Sequence, residues 1–530
     1  MLANSPNGST TTGRSSGVSP RATHARAQYA FRVPVPLDVL IIGAGLSGIG
    51  AAAHLRREYP TKSFTIIESR DAIGGTWDLF RYPGIRSDSD MFTMGYKFKP
   101  WTDEDSIAAG EKIRTYITDV ASEYDITERI MFGHRAIHAD WSSEDRTWTV
   151  SIRDNTGDVS TIKTRFLLNC SGYYNYEQGF SPTFEGSDEF AGTIVHPQHW
   201  PEDLEYSGKR VVVIGSGATA VTLMPSMAKT AEHVTMLQRS PTYIASIPAA
   251  DPLAEKLRGH VSDETTYKLV RFKKFTVGRL LYTIARKAPN YTRKQLRKAA
   301  MADLPADYDY DTHLTPTYKP WDQRLCACPD GDFFHAIRGG NAEIVTATID
   351  RFTPRGIRLT NGDELPADII VTATGLNIQM LGGMTLAVDG EEIDVGTKLI
   401  YKGMMVSGVP NFAMATGYTN ASWTLKVELI FDYLMRLWHY MDLNDLEVVV
   451  AIPPAEYFNK TTPLLDLKSG YITRAQQLMP QQGPRTPWRL YQNYLRDSWL
   501  MHRGPIVNDG LEYLPRRRAR AQARAVSVSA

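Results

Sequence analysis

Cysteine is scarce in this chain. Three stand among 530 residues, Cys170, Cys326 and Cys328. An odd, sparse set excludes a disulfide framework and fits a reducing compartment, the cytoplasm. Cys-x-x-Cys is absent, which excludes the dithiol a flavin disulfide reductase needs. Cys326 and Cys328 form a CxC pair without a second Cys or His pair nearby in sequence, so the pair reads as a strand end or loop and no metal is expected. No apolar run is long enough to span a bilayer. Neither sign of charge dominates: 59 Lys and Arg face 58 Asp and Glu, a net charge of +1, which leaves no nucleic-acid signature. Acidic residues are missing altogether from residues 1–35, which are rich in Ser, Thr, Pro, Gly, Ala and Arg. That segment has no apolar stretch of the secretory type and cannot bury a core. It reads as a disordered extension, with a transit peptide as the alternative. The basic, Ala-rich residues 511–530 read as a disordered tail.

What remains is ordinary globular protein, 42% hydrophobic and 22% charged, too long for one core. The fold class it predicts is α/β, with two Rossmann-like dinucleotide-binding domains and an inserted helical region. The apolar run Leu37 to Ile42 suits a buried parallel strand. Gly43, Gly45 and Gly48 follow it, then a helix over 49–59 and a second strand over Phe64 to Ile67, which together make a βαβ unit. The pattern restarts with a strand over Val211 to Ile214, Gly215-Ser216-Gly217, a helix over 218–229 and a strand over 234–237. Antiparallel strands are predicted at 148–152 and 163–168 around a turn at Asn155–Gly157. A buried strand is predicted at 369–374 and a core helix at 425–440. The boundaries this implies are 36–200 for the first part of one nucleotide domain, 201–345 for the other with its helical insert at about 250–320, and 346–510 for the return to the first.

Gly43-Ala44-Gly45-Leu46-Ser47-Gly48 fits GxGxxG between strand and helix. Such glycines permit the tight turn, the approach of a pyrophosphate and close helix–strand packing, while the helix N-terminus holds the anion. Glu68 ends the second strand, where a carboxylate accepts from ribose hydroxyls and repels a 2′-phosphate, so this site prefers FAD or NAD. Gly74-Gly75-Thr76-Trp77 offers a second backbone approach just downstream, which suits the long body of FAD. The second turn, Gly215 to Ala220, fits GxGxxA. Its second strand ends in Arg239 and Ser240, with no carboxylate. A guanidinium there matches a phosphate with two charge-assisted bonds and selects NADPH. One acidic and one basic strand end in one chain point to a flavin and to the NADPH that reduces it.

Between the two turns, Phe190 to Pro201 matches FxGxxxHxxxWP, and Asp368 to Gly375 (DIIVTATG) matches a second signature of the same family. From about residue 37 to 510 the chain resembles the class B flavoprotein monooxygenases of Baeyer–Villiger type. Residues 74–93, 320–326 and 417–426 are most similar to the branch that activates the thioamide prodrug ethionamide. The resemblance implies an FAD- and NADPH-dependent enzyme that inserts one oxygen of O2 into a ketone through a flavin C4a-peroxide, with sulfoxidation of thioethers and thioamides alongside. It makes Arg324 the essential arginine and Asp88 the carboxylate that contacts cofactor and orients it. Many relatives carry lysine before that arginine, where this chain has Gln323. By the same resemblance Ser47, Thr76, Trp77, Asp78, Leu79, Asp88 and the backbone of Ala136 contact FAD. Arg86, Ser87 and Asp88 contact NADP, as do Gly215, Ser216, Gly217, Ala218, Thr219, Ala220, Val221, Arg239 and Ser240. Residues 418–424 border flavin and substrate. His196 reads as a linker anchor in a domain-coupling segment, with an acid–base role as the alternative.

The stretch 267–298 holds eleven Lys and Arg and no acidic residue. It reads as a helical insert beside the substrate pocket, or as a basic amphipathic helix touching an anionic membrane. Two other functions stay open: a flavin monooxygenase acting mainly on sulfur or nitrogen, and a noncatalytic FAD- and NADPH-binding redox protein.

Overall fold

The computed structural model describes residues 36–323, 325–465, 469–507 and 509–517. The expected N-terminal extension, Arg324 and most of the basic tail therefore lie outside the described residues. Leu37–Ile42 is buried almost throughout, as a strand flanked on both sides must be. It pairs in parallel with Phe64–Ile67 on one side and Val159–Asn169 on the other. A meander extends this sheet, with His134–Ser142 and Thr147–Asp154 antiparallel to each other and Thr147–Asp154 antiparallel to Val159–Asn169. Much later in the chain, Thr385–Val388 and Phe412–Met414 return to the same sheet, and with the short strands Ile130–Met131 and Glu391–Glu392 it has nine strands among the described residues. The expected antiparallel pair is there. Its third member, His134–Ser142, escaped sequence reading because its half-buried, mixed composition carries no clean alternation.

A second, five-stranded parallel sheet is built around Arg210–Ile214, with His233–Gln238 and Ala342–Thr346 on one side and Ile369–Thr372 on the other. Thr193–Val195 is its edge strand, paired with Ile369–Val371. Thr193–Val195 and Ile369–Thr372 thus join the second sheet from beyond the boundaries expected at 200 and 345. Both are connecting segments, and their backbone groups are satisfied by the neighbouring sheet. The expected core helix spans Trp423–Leu443 and is buried along most of its length against the first sheet.

The insert is helical, with helices at Pro252–Leu257, Asp263–Lys287, Pro289–Asp303 and Tyr310–Leu314. The basic stretch spans two of these. Ala288 precedes a proline and sits at φ −128°, ψ 61°, outside the helical region that a following proline ring disfavours. Cys326–Pro329 is a strand, paired in parallel with Ile244–Ile247. Leu511–Pro515, expected as the start of a disordered tail, is instead a strand paired with Leu446–Ala451, which supplies partners for its backbone groups. Among the described residues no helix is long and apolar enough to cross a membrane.

Candidate active site

The first glycine turn is fixed by sterics. Gly43 sits at φ +100°, where a Cβ would come within 2.8 Å of the Cys170 carbonyl oxygen. At Gly48 a Cβ would lie 1.8 Å from the carbonyl oxygen of Gly43, so the helix Leu46–Glu58 can meet the strand end with glycine alone at that position. The Gly74-Gly75 loop lies directly on this turn. Gly74 N–H donates to Ala44 O at 3.1 Å, and a Cβ on Gly75 would be 3.0 Å from the Gly45 Cα. The two glycine-rich segments therefore share one backbone surface. Glu68 closes it from the strand end: its carboxylate accepts from Ala44 N–H at 2.7 Å and from Arg70 N–H at 2.9 Å. Burial nevertheless pushes the Glu68 pKa up.

Thr76 Oγ1 hydrogen-bonds the Tyr176 hydroxyl at 3.1 Å. Ser47 Oγ accepts from Trp423 Nε1 at 2.9 Å, which pins the 418–424 segment to the first turn. Asp78 faces elsewhere. It is buried between Arg70 and Arg81, each 2.6 Å away.

The second turn repeats the plan with one difference. Gly215 is at φ +138°, backed by the carbonyl of Ala373. The packing position carries Ala220, fully buried, so this helix and strand stand far enough apart for a methyl group. At Gly217 a Cβ would meet nothing within 4 Å, so this part of the turn faces open space. Ser216 Oγ donates to Ser240 O at 3.1 Å and ties the turn to the neighbouring strand end. Arg239 is exposed beside it, and no acid among the described residues pairs with it. The helices after both turns, Leu46–Glu58 and Ala218–Met227, lack a side-chain N-cap, which leaves their first N–H groups available to an anion.

Both turns open on one cavity of about 1080 Å³. Its wall brings together Gly43, Gly45, Ser47, Glu68, Thr76, Trp77, Arg86, Ser87, Asp88 and Ala136 with Gly215 to Thr219, Arg239 and Ser240. Gly48, Asp78, Leu79, Ala220 and Val221 are not part of that wall. Gly48 and Ala220 serve helix packing, and Asp78 serves its two arginines. Arg324 lies outside the described residues, but its neighbours Gln323 and Leu325 line the cavity. Arg86 is held by an ion pair to Asp332, which opens the helix Asp332–Arg338. The Ser87 hydroxyl donates to the carbonyl of Ser89, and Asp88 stands exposed on the wall between them.

Sequence reading missed Tyr173, Tyr174 and Tyr176, which line the cavity. The signal was an aromatic run just past Asn169, the carboxyl end of a strand in the first sheet, where ligands of such folds sit. A smaller, apolar chamber of about 40 Å³ shares Tyr173, Trp423 and Tyr471 with the large one and is lined by Met380, Met414, Tyr418 and Met479 among others. Behind it the Tyr418 hydroxyl donates to Asp497 at 2.7 Å. Asp497 is also paired with Lys426, and both of those side chains are buried.

The two sequence signatures prove to be one seam. Phe190 packs in the second sheet's core near Phe352. A Cβ on Gly192 would strike the Asp368 carbonyl, and Asp368 in turn holds Arg210 at 3.0 Å. His196 Nδ1 accepts from Gln198 N–H, and its ring covers Gly179 so closely that a Cβ there would be 2.0 Å from it. No residue of 190–201 lines the cavity, so the geometry favours the anchor reading of His196 over acid–base chemistry.

A mixed sheet with a parallel core and a second, parallel sheet, each with a glycine turn at the carboxyl end of a central strand and both turns facing one cavity, define a double-Rossmann, two-nucleotide architecture. Residues 37–251 match the family described as flavin-binding monooxygenase-like. The chain is 52% identical over 481 residues to the FAD-containing monooxygenase EthA of Mycobacterium tuberculosis, covering 91% of this chain and 98% of that protein. It is 49% identical to the probable FAD-binding monooxygenase AlmA of an Acinetobacter species, covering 90% and 95%. Its fold is that of the solved structure of an oxidized steroid monooxygenase bound to NADP, with a TM-score of 0.72 at 23% identity, covering 91% of this chain and all of that one. The chain belongs to the family of FAD-containing, flavin-binding monooxygenases.

Proposed function

We propose that this protein is an FAD-dependent, NADPH-consuming monooxygenase of Baeyer–Villiger type, which inserts one oxygen atom of O2 into ketones to give esters or lactones and also oxidises the sulfur of thioethers and thioamides. The observation that carries the reading is the cavity flanked by two glycine turns, with a carboxylate at one strand end and an exposed guanidinium at the other. The residues present fit the two groups. Uncapped helix N-termini and open backbone at Gly217 suit pyrophosphates. Glu68 suits ribose hydroxyls, and Arg239 suits a 2′-phosphate.

FAD would be held by Gly43, Gly45, Ser47, Glu68, Thr76, Trp77 and the backbone of Ala136. NADP would be held by Gly215 to Thr219, Arg239, Ser240 and Arg86. When bound, the flavin supplies hydride acceptance from NADPH and the activation of O2. The protein's own tasks are placement, exclusion of water and fixed positive charge. Arg324, between two wall residues in sequence, would supply a cation that stays protonated at any working pH, suited to the negative charge that develops on the ketone oxygen. Asp88, on the same wall, orients that guanidinium. The methionine- and aromatic-lined chamber beside Trp423 accepts the apolar part of the substrate, since thioether side chains adapt to irregular apolar shapes.

The test is Arg324→Ala. Ketone oxidation should fall by roughly 100- to 1000-fold, the usual loss when a charge-stabilising donor is removed, while NADPH consumption continues and releases hydrogen peroxide. Unchanged ester formation would remove Arg324 from the mechanism. A variant that still oxidises thioethers at the full rate would put sulfur chemistry first.

A further inference from the structure

The long insert helix, Asp263–Lys287, turns the wrong residues outward for a solvated helix. Tyr267, Val270 and Arg271 face the body of the protein and are buried, with Arg271 paired to Glu428 at 2.6 Å. On the opposite side Leu269, Phe272, Thr276, Leu280 and Thr283 recur at helical spacing and form one outward stripe. Phe272 is 61% exposed and Leu280 59%. From Thr276 to Leu281 every residue is exposed, so Leu281 adds a further 60%-exposed side chain.

A chain of ring contacts links this helix to a second one. Phe272 contacts Phe275 at 5.2 Å, and Phe275 contacts Tyr494 at 5.0 Å. Tyr494 opens the helix Tyr494–Arg503, where Leu495 and the 65%-exposed Trp499 lie one turn apart. Cations flank the stripe. Lys268 and Arg286 have acidic partners in Glu264 and Asp322, whereas Arg279 and Lys287 have none among the described residues.

We propose that this ridge is a docking surface for an anionic lipid bilayer. The helix would lie in the interface with its apolar stripe below the headgroups and its cations among them. An amphipathic helix with large apolar side chains between basic residues has the chemistry such an interface selects. Trp499 adds an aromatic of the kind that favours the headgroup level. The simplest competitor is a second copy of the chain. In a twofold contact between two copies the ridge would pair with itself head to tail, so the oligomeric state is measured alongside vesicle binding. The helix does not cross the bilayer, because no described helix is long and apolar enough to do so.

The test is co-sedimentation of the full-length, flavin-loaded protein with vesicles of phosphatidylcholine alone and of phosphatidylcholine carrying one third phosphatidylglycerol, at low and high salt. The wild type should pellet with the anionic vesicles at low salt and be released by high salt. Arg279→Glu/Lys287→Glu should bind more than roughly 25-fold more weakly, at about fivefold per cation lost. Phe272→Asp/Leu280→Asp should lose binding as well. Both double variants alter exposed residues outside the cavity, so their melting temperature and NADPH oxidation should match the wild type. They keep both basic termini, so any vesicle binding due to those segments would persist in them. Equal pelleting of wild type and the Asp variant would overturn the proposal. So would a wild type that stays in the supernatant, or one that is dimeric in solution and is made monomeric by Phe272→Asp.

Discussion

Arg239 and Glu68 occupy equivalent strand ends, and their surroundings separate their roles. Glu68 is buried and engaged by two backbone N–H groups, so part of its work is to brace the first turn. Arg239 is exposed and has no acidic partner among the described residues, so its charge is available to a ligand. Replacing it with alanine should raise KM for NADPH by roughly 10- to 100-fold, the value of one or two charge-assisted hydrogen bonds. The KM for NADH, which has no 2′-phosphate, should stay where it is. Steady-state rates with the two nucleotides decide this, and an unchanged preference for NADPH would move the 2′-phosphate site elsewhere.

At the level of elements, the two strand–turn–helix units differ in how closely helix and strand approach. Gly48→Ala would place a methyl carbon 1.8 Å from the Gly43 carbonyl, and neither backbone can yield without opening the turn. The cost should reach or pass the upper end of the roughly 1–3 kcal/mol typical of overpacking, and flavin should be lost with it. Ala220→Gly in the second unit should cost only about 1 kcal/mol, chiefly in helix propensity, and should leave the protein yellow. Thermal melts and the flavin absorbance per chain measure both. A Gly48→Ala protein with full flavin content would show that the first turn tolerates the separation seen in the second.

Across the whole molecule, the segment 190–201 and the strand Ile369–Thr372 carry the chain between the two sheets, and His196 is the pin where they meet the loop around Gly179. Burial lowers the pKa of His196. Because its folded value lies below the ordinary one of about 6.5, the neutral ring favours the folded state. Its contribution is complete above that pH and is lost as pH falls through the folded pKa. The melting temperature should therefore drop on acidification below about pH 6.5. A His196→Gln variant, whose carbonyl can accept from the Gln198 N–H, should show a flatter profile over that range. Parallel profiles would mean that other groups govern the acid side.

Local pattern determined most of the architecture. The apolar runs ending in glycine turns, and the opposite charges at Glu68 and Arg239, were legible because strand, turn and helix follow from backbone sterics over a few neighbouring residues. Even the helical insert could be read from spacing, though its break at Ala288 and its outward apolar stripe could not. Tertiary packing alone decided that the Gly74-Gly75 loop lies on the first turn, that Asp78 serves Arg70 and Arg81 instead of the cavity, and that Tyr173, Tyr174 and Tyr176 line its wall. It also joined Thr193–Val195 to Ile369–Val371, so that two signatures far apart in sequence form one seam. Such contacts depend on which surfaces the two sheets bury against each other, and that is a property of the assembled core which no short stretch of sequence contains.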